Sequence, residues 1–178
     1  STPPSVVKRR KPSSVTSVGH AAFRGCKALE ACNLSGVTEV GSLSFSGTAL
    51  AEANLASALS VGDEAFAGDS ALATLDLSSV CKIGEKSFGG CSSLGTVCLP
   101  ATLTDLGLDA FAGAARAFEV DAANPSLSAS GGILYSKDGS ELLFVPSQME
   151  FPDGTLEVAA TVRSIAAHAA SGQANIVR

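Results

Sequence analysis

Hydrophobic and polar residues along this chain follow a pattern that returns about every 22 residues. Phenylalanine marks the pattern most clearly, since successive copies lie 22, 21, 22 and 23 positions apart, at Phe23, Phe45, Phe66, Phe88 and Phe111. An aliphatic residue stands five positions before each phenylalanine, and a glycine follows that aliphatic residue in every copy. Each copy closes with a short apolar alternation, such as Leu75 and Leu77, which predicts a strand with one face in the core.

The period itself predicts the architecture. Repeats of about 20–29 residues with leucine-like positions are typical of leucine-rich solenoids, in which each coil buries its apolar edge against the next. We therefore predict a mostly β solenoid with short stacked parallel strands and a column of phenylalanine rings. The alternative is a five-strand sandwich, which would need five columns to repeat in phase by coincidence. The predicted coils span residues 15–36, 37–57, 58–79, 80–102 and 103–120.

The repeat motif resembles that of a known family. Residues 81–100, CKIGEKSFGGCSSLGTVCLP, are similar to the pattern V-x-x-I-G-x-x-[AS]-F-x-G-C-x-x-L of the BspA-like leucine-rich repeat. The segment from Asn124 onward also resembles the insert of that family. The resemblance implies a right-handed coil of stacked strands with an inserted β-hairpin. It also implies a repeat array of the kind that occurs on bacterial and protist surface proteins and binds other proteins.

The pattern breaks after the fifth coil and then resumes. In residues 121–150, Asp138-Gly139 lies between two β-rich runs, which predicts a β-hairpin at the edge of the stack. We predict a partial coil over residues 151–178, because Val162 and Ile165 lie 147 positions after Val15 and Val18, which hold the same places in the first repeat. Ala170 takes the place of the phenylalanine. We expect the natural protein to continue past Arg178, or another element to cover this open apolar edge.

Charge is distributed unevenly along the chain. Residues 8–11, KRRK, carry four basic groups, and the rest of the chain has 8 basic against 17 acidic residues. An acidic body argues against a nucleic-acid partner, since phosphates need a cationic surface. KRRK fits a nuclear localisation signal, but a disordered basic tail over residues 1–14 is the simpler interpretation. The apolar runs are shorter than the roughly 20 residues of a membrane helix, so we expect membrane contact only through regions outside this fragment.

The sequence offers no catalytic chemistry. The histidines, His20 and His168, have no cysteine or serine partner at fixed local spacing, and no nucleotide-binding, nucleophile-elbow or zinc-protease motif is present. We therefore expect no catalytic residues, cofactor or metal. The five cysteines lack metal-ligand spacing, and Cys26 and Cys91 lie three coils apart, too far for a disulfide. Cys32 takes a core position of the repeat, where other copies have Ala, Leu or Val, so a free buried thiol that packs as a small hydrophobic group is expected there.

The remaining candidate for a functional site is the polar face of the strands predicted at the end of each coil. Alternation sends the residues between the core positions outward and predicts one flat, polar to acidic strip along a parallel sheet. A solvated face without a ligand is the alternative. Asn33 also fits a glycosylation sequon, which matters only for a secreted protein. The predicted partner-binding residues are Asn33, Glu52, Asn54, Thr74, Asp76, Thr96, Cys98 and Glu119.

The sequence thus predicts a non-catalytic adhesion or recognition module, secreted or at the cell surface, with a host or neighbouring-cell protein as ligand. Two alternatives stay open. One is a cytoplasmic or nuclear scaffold with the same fold, and the other is an accessory domain of a larger enzyme.

Overall fold

A computed structural model of the chain describes residues 14–173 and residue 176. In this part of the chain the regular structure consists of short strands, and no helix occurs. The predicted basic tail, with KRRK, lies outside the described residues except for Ser14.

One sheet runs along the first five coils. Each of the five coils supplies one two-residue strand, and all the strands are parallel and paired in chain order. The register places each aliphatic position of the repeat opposite the next, so that Val18 pairs with Val40 and Ile83 with Leu106. The strands are β1 (Ser17–Val18), β2 (Glu39–Val40), β4 (Ser60–Val61), β6 (Lys82–Ile83) and β8 (Asp105–Leu106).

The glycine after each of these strands sets how closely the coils approach. A Cβ atom on Gly62 would lie 2.5 Å from the amide nitrogen of Ser42 and 2.8 Å from the carbonyl carbon of Gly41. Gly41, Gly84 and Gly107 meet the backbone of the preceding coil in the same way. Only a residue without a side chain fits this position, because the backbones are in contact there.

The predicted phenylalanine column is confirmed. Rings of successive coils stack with centroids 5.2 or 5.3 Å apart and planes tilted by at most 12°, from Phe23 to Phe111. Phe118 ends the column with an edge contact to Phe111 at 5.4 Å. The four rings after Phe23 are at most 2% exposed, so the column forms the centre of the core. The solenoid fold predicted from the repeat is therefore the fold of the protein.

A second core column, three residues after the phenylalanines, holds polar groups. Asp69 is fully buried, and Thr48 donates to both of its carboxylate oxygens, from its amide at 2.6 Å and its hydroxyl at 2.8 Å. Burial raises the pKa of Asp69 to about 6. Cys91 follows in the next coil, where its thiol donates to the Phe66 carbonyl at 3.1 Å, and burial raises its pKa to about 12. Neither Cys91 nor the exposed Cys26 forms a disulfide.

The strands that close the coils form two separate ladders. One pairs β3 (Glu52–Asn54) with β5 (Thr74–Asp76), and the other pairs β7 (Thr96–Leu99) with β9 (Ala117–Val120). The single continuous sheet predicted on this face is therefore wrong. The fourth and fifth coils also differ just after these strands. Asp121 of the fifth coil donates its amide to Leu99 of the coil before, whereas Pro100 at the equivalent position of the fourth coil has no amide hydrogen to donate.

The insert is larger than the predicted hairpin. It contains β10 (Leu127–Ser130), β11 (Ile133–Ser136) and β12 (Glu141–Phe144), joined as two antiparallel hairpins. The predicted turn at Asp138-Gly139 is present. The additional turn is Gly131-Gly132, where both residues have positive φ, the backbone that a two-residue hairpin loop needs.

The chain then returns to the stack by way of the insert. Strand β13 (Ser164–Ile165) pairs in parallel with β12 rather than with β8. At the opposite corner the last coil does contact the fifth coil, since a Cβ atom on Gly172 would lie 3.6 Å from the Cα atom of Gly113. The last coil is therefore in contact with its predecessor at one corner and separated from it at the sheet.

Candidate functional site

The predicted strip is a real surface, which we call the strand face. Its residues lie on the outward side of the coil-closing strands, and all are exposed except Asn33, which is half-buried and lies outside any strand. The register brings Asn54 opposite Asp76 and Cys98 opposite Glu119. It also pairs Glu52 with Thr74 and Thr96 with Ala117. The strand face consists of Asn33, Glu52, Asn54, Thr74, Asp76, Thr96, Cys98 and Glu119.

Three of these side chains also shape the turns that follow the strands. The side-chain oxygen of Asn33 accepts from the Ser35 amide, that of Asn54 from the Ala56 amide, and that of Asp76 from the Ser78 amide, at 3.1 to 3.2 Å. Such bonds fold the backbone into a tight turn two residues later. Each of these side chains thus has a structural role beside any role in binding.

A shallow depression of about 560 Å³ lies across the end of the strand face. It begins at the break between β5 and β7 and extends over β9, with half-buried Leu75 in its wall. We call it the acidic trough, since its lining includes three carboxylates and no basic side chain. These carboxylates are Asp76, Glu119 and Asp121. The last was missed from the sequence, because Asp121 falls at the start of the insert, one residue past the last predicted coil.

The thiol of Cys98 is part of this trough. Its sulfur lies 3.7 Å from a carboxylate oxygen of Glu119, and partial burial together with that carboxylate raises the pKa of Cys98. A thiol with a raised pKa stays protonated and is a weak nucleophile. Cys98 is therefore better suited to contact a partner than to attack one.

Elsewhere in the described chain, titratable side chains make local contacts. No group of three or more His, Cys, Asp or Glu side chains within residues 14–173 could hold a metal ion. Nδ1 of His168 lies 2.8 Å from a carboxylate oxygen of Asp109, a pair that joins the last coil to the fifth. Asp138 accepts bonds from the amide and hydroxyl of Ser140 in the hairpin turn, which lowers its pKa to about 2. Over the same residues, no helix could cross a membrane.

Stacked coils with short parallel strands, a phenylalanine column and an outward polar face define a solenoid of the leucine-rich repeat class. Residues 5–117 match the family described as BspA type leucine rich repeat region, in six copies. This match covers more than half of the 178 residues, so the chain belongs to the BspA-type leucine-rich repeat family. No curated protein sequence matches the chain.

Several solved structures share the fold. The pneumococcal vaccine antigen PcpA is 23% identical with a TM-score of 0.70, and the match covers 89% of this chain and 41% of that one. A leucine-rich cell surface protein from Faecalibacterium prausnitzii is 25% identical with a TM-score of 0.68, over 95% of this chain and 46% of that one. A leucine-rich repeat protein from Eubacterium ventriosum is 24% identical with a TM-score of 0.73, over 93% and 45%. The chain thus spans less than half the length of each of these proteins.

Proposed function

We propose that this protein is a non-catalytic module that binds another protein at its strand face, and that it acts in adhesion or recognition at a cell surface. Membership of the BspA-type family supports a role in protein interaction, since leucine-rich solenoids use their extended surfaces for binding. The surface location is supported by the Faecalibacterium relative, which is described as a cell surface protein.

The acidic trough is the observation that carries the proposal. It combines a depression in an otherwise regular surface with three carboxylates, one from the end of the third coil and two from the end of the fifth. An oxygen of Asp76 and one of Asp121 are held by the amides of Ser78 and Ala123, which fix the direction of both side chains. Charges fixed in this way steer and select a partner with a complementary basic surface.

The test uses neutral variants that keep the turns intact. Asparagine retains the side-chain oxygen that accepts from the backbone, so a triple variant with Asp76→Asn, Glu119→Gln and Asp121→Asn removes the charge and keeps the fold. The wild-type chain is used to capture partners from surface material of the source cells, and each purified partner is then measured by surface plasmon resonance. We expect the triple variant to bind about tenfold more weakly, with a smaller dependence on salt.

A matched triple variant controls for net charge. Asp63→Asn, Glu64→Gln and Asp153→Asn remove three charges elsewhere, and Asp63 also keeps its oxygen bonded to the Glu85 amide. This control should bind the partner like the wild type. Equal loss in both triple variants, or no loss in either, would show that the strand face is not the binding surface.

A further inference from the structure

The five-stranded sheet ends in an open edge at β8. β8 pairs with β6 on one side, and the strand that should follow it, β13, is bonded to β12 instead. No Cα atom of β8 lies within 8 Å of one in β12. Neighbouring strands in a sheet are about 4.8 Å apart, so β12 is too distant to pair with this edge.

Two carbonyl groups on this edge lack a hydrogen-bond donor. In every earlier coil, the equivalent carbonyls accept from amides of the following coil. Val18, Val40, Val61 and Ile83 each accept from the glycine amide of the next coil, at 2.7 or 2.8 Å. The equivalent carbonyl of the fifth coil belongs to Leu106, and no residue of the described chain donates to it. The same holds for Thr104, whose counterpart Cys81 accepts from Thr104 and Asp105.

The sixth coil directs its donors elsewhere. The Ala166 amide donates to Leu142 at 2.8 Å, and the Arg163 amide donates to Ser140 at 2.7 Å. The sequence explains this change. The residue that follows the strand must be glycine to stack on the previous coil, because a Cβ atom on Gly107 would overlap the backbone of Gly84, and the sixth coil has Ala166 there. Its methyl group is incompatible with stacking on β8.

An apolar cleft of about 290 Å³ lies against the open edge. Leu106 is half-buried, whereas Ile83 in the coil before is fully buried, and Leu108 is 50% exposed. The side facing these residues is formed by Leu143 and Phe144 of the insert and by Ala167 of the last coil. We call this cleft, with the free carbonyls of Thr104 and Leu106, the β8 edge cleft.

We propose that the β8 edge cleft binds an extended segment of another protein, which adds to β8 as a parallel strand and places one aliphatic side chain in the cleft. Two carbonyls two residues apart on one strand edge match amides two residues apart on an extended chain. The four existing junctions of the sheet give the chemistry of the segment, an aliphatic residue followed by glycine. A whole coil of a second copy does not fit, because Leu143 and Phe144 of the insert and Ala167 of the last coil also line the cleft. This inference is independent of the strand face.

The experiment uses a peptide with the sequence of residues 58–64, ALSVGDE, which contains the third coil's strand and its glycine. The peptide is titrated into the isotope-labelled full chain up to millimolar concentration and followed by amide NMR. We expect shift changes confined to residues 104–108, 143–144 and 166–167. A peptide with N-methylglycine in place of the glycine lacks the donor for Leu106 and should bind about tenfold more weakly.

Two protein variants test the location. Ala167→Arg places a long side chain in the cleft and should weaken binding about tenfold, whereas Ala160→Arg, at an exposed alanine outside the cleft, should leave binding unchanged. The proposal is wrong if the peptide fails to bind, if the N-methylated peptide binds equally well, or if the shift changes lie at β1 or on the strand face. The triple variant with Asp76→Asn, Glu119→Gln and Asp121→Asn should bind this peptide as tightly as the wild type does. A failed test of the β8 edge cleft can therefore be distinguished from a failed test of the strand face.

Discussion

Nδ1 of His168 lies 2.8 Å from Oδ2 of Asp109, although the two residues are 59 positions apart. They occupy equivalent positions, two residues before the phenylalanine column, and both have a left-handed backbone, with φ of 60° and 55°. The pair closes the corner where the last coil contacts the fifth, beside the contact of Gly172 with Gly113. It therefore helps to hold a coil whose strand is bonded to the insert instead of the stack.

Removal of this pair should loosen the last coil. In His168→Ala the carboxylate of Asp109, whose side chain is only 10% exposed, loses its partner, which should cost about 1–3 kcal/mol locally. Hydrogen exchange measured by mass spectrometry should be faster at the amides of Val145 and Ala166, which bond across the junction of the insert with the last coil. His20→Ala, on the first coil, should leave these amides unchanged, and equal protection in both variants would contradict the assignment.

The phenylalanine column should dominate stability. Phe88 is fully buried between two rings, so Phe88→Ala should lower the free energy of unfolding by about 3–5 kcal/mol. Phe23 is only half-buried, with one ring neighbour among the described residues, so Phe23→Ala should cost clearly less. Urea unfolding followed by circular dichroism measures both values. Equal losses would mean that the column does not act as a cooperative core.

Gly62 should not tolerate a methyl group. In Gly62→Ala the new Cβ atom would overlap the backbone of Ser42 and Gly41, so the coils must separate, at a cost of about 1–3 kcal/mol or more. Gly19 starts the same column, and a Cβ atom there would have nothing within 4 Å. Gly19→Ala is therefore the matched control and should be nearly neutral. Thermal unfolding of the two variants in parallel gives the comparison.

Asp69 should make stability depend on pH. Its folded pKa of about 6 lies above the ordinary value of 3.8, so the folded state binds this proton more tightly than the unfolded state. The contribution of Asp69 to stability is therefore largest below about pH 4 and is lost as the pH rises through 6, by at most roughly 3 kcal/mol. Asp69→Asn cannot ionise.

The check is the difference in unfolding free energy between Asp69→Asn and wild type, measured with urea at pH 4 and at pH 7.5. The unfolding free energy of the variant should increase relative to that of the wild type as the pH rises, because asparagine avoids the cost of a buried charge. A difference that stays constant with pH would show that the pKa of Asp69 is not raised in the folded protein.

The periodic part of the fold could be predicted from the sequence because the period fixes which residues stack. Phe23 to Phe111 were placed in one column by spacing alone, and the structure confirms it. Strand β10 was missed because Leu127–Ser130 has only one large apolar side chain, which is a weak pattern for a strand. The break after β5 was missed because strand alternation predicts which residues face outward and not which neighbouring strands pair.

Contacts across the insert could not be predicted. The pairing of His168 with Asp109 and of β13 with β12 depends on how far the insert displaces the returning chain, and repeat register carries no information about that distance. Asp121 of the acidic trough was missed for a related reason. It lies just outside the last predicted coil, where periodicity had ceased to guide the choice of residues.

The glycine column has a consequence for how such proteins change in evolution. Because backbone touches backbone at Gly41, Gly62, Gly84 and Gly107, every coil advances the molecule by one strand spacing of about 4.8 Å. The number of preceding coils therefore sets the position of each surface residue along the stack. Insertion or deletion of one whole repeat shifts a surface charge by one strand spacing, whereas insertion or deletion of part of a repeat would put every following coil out of register.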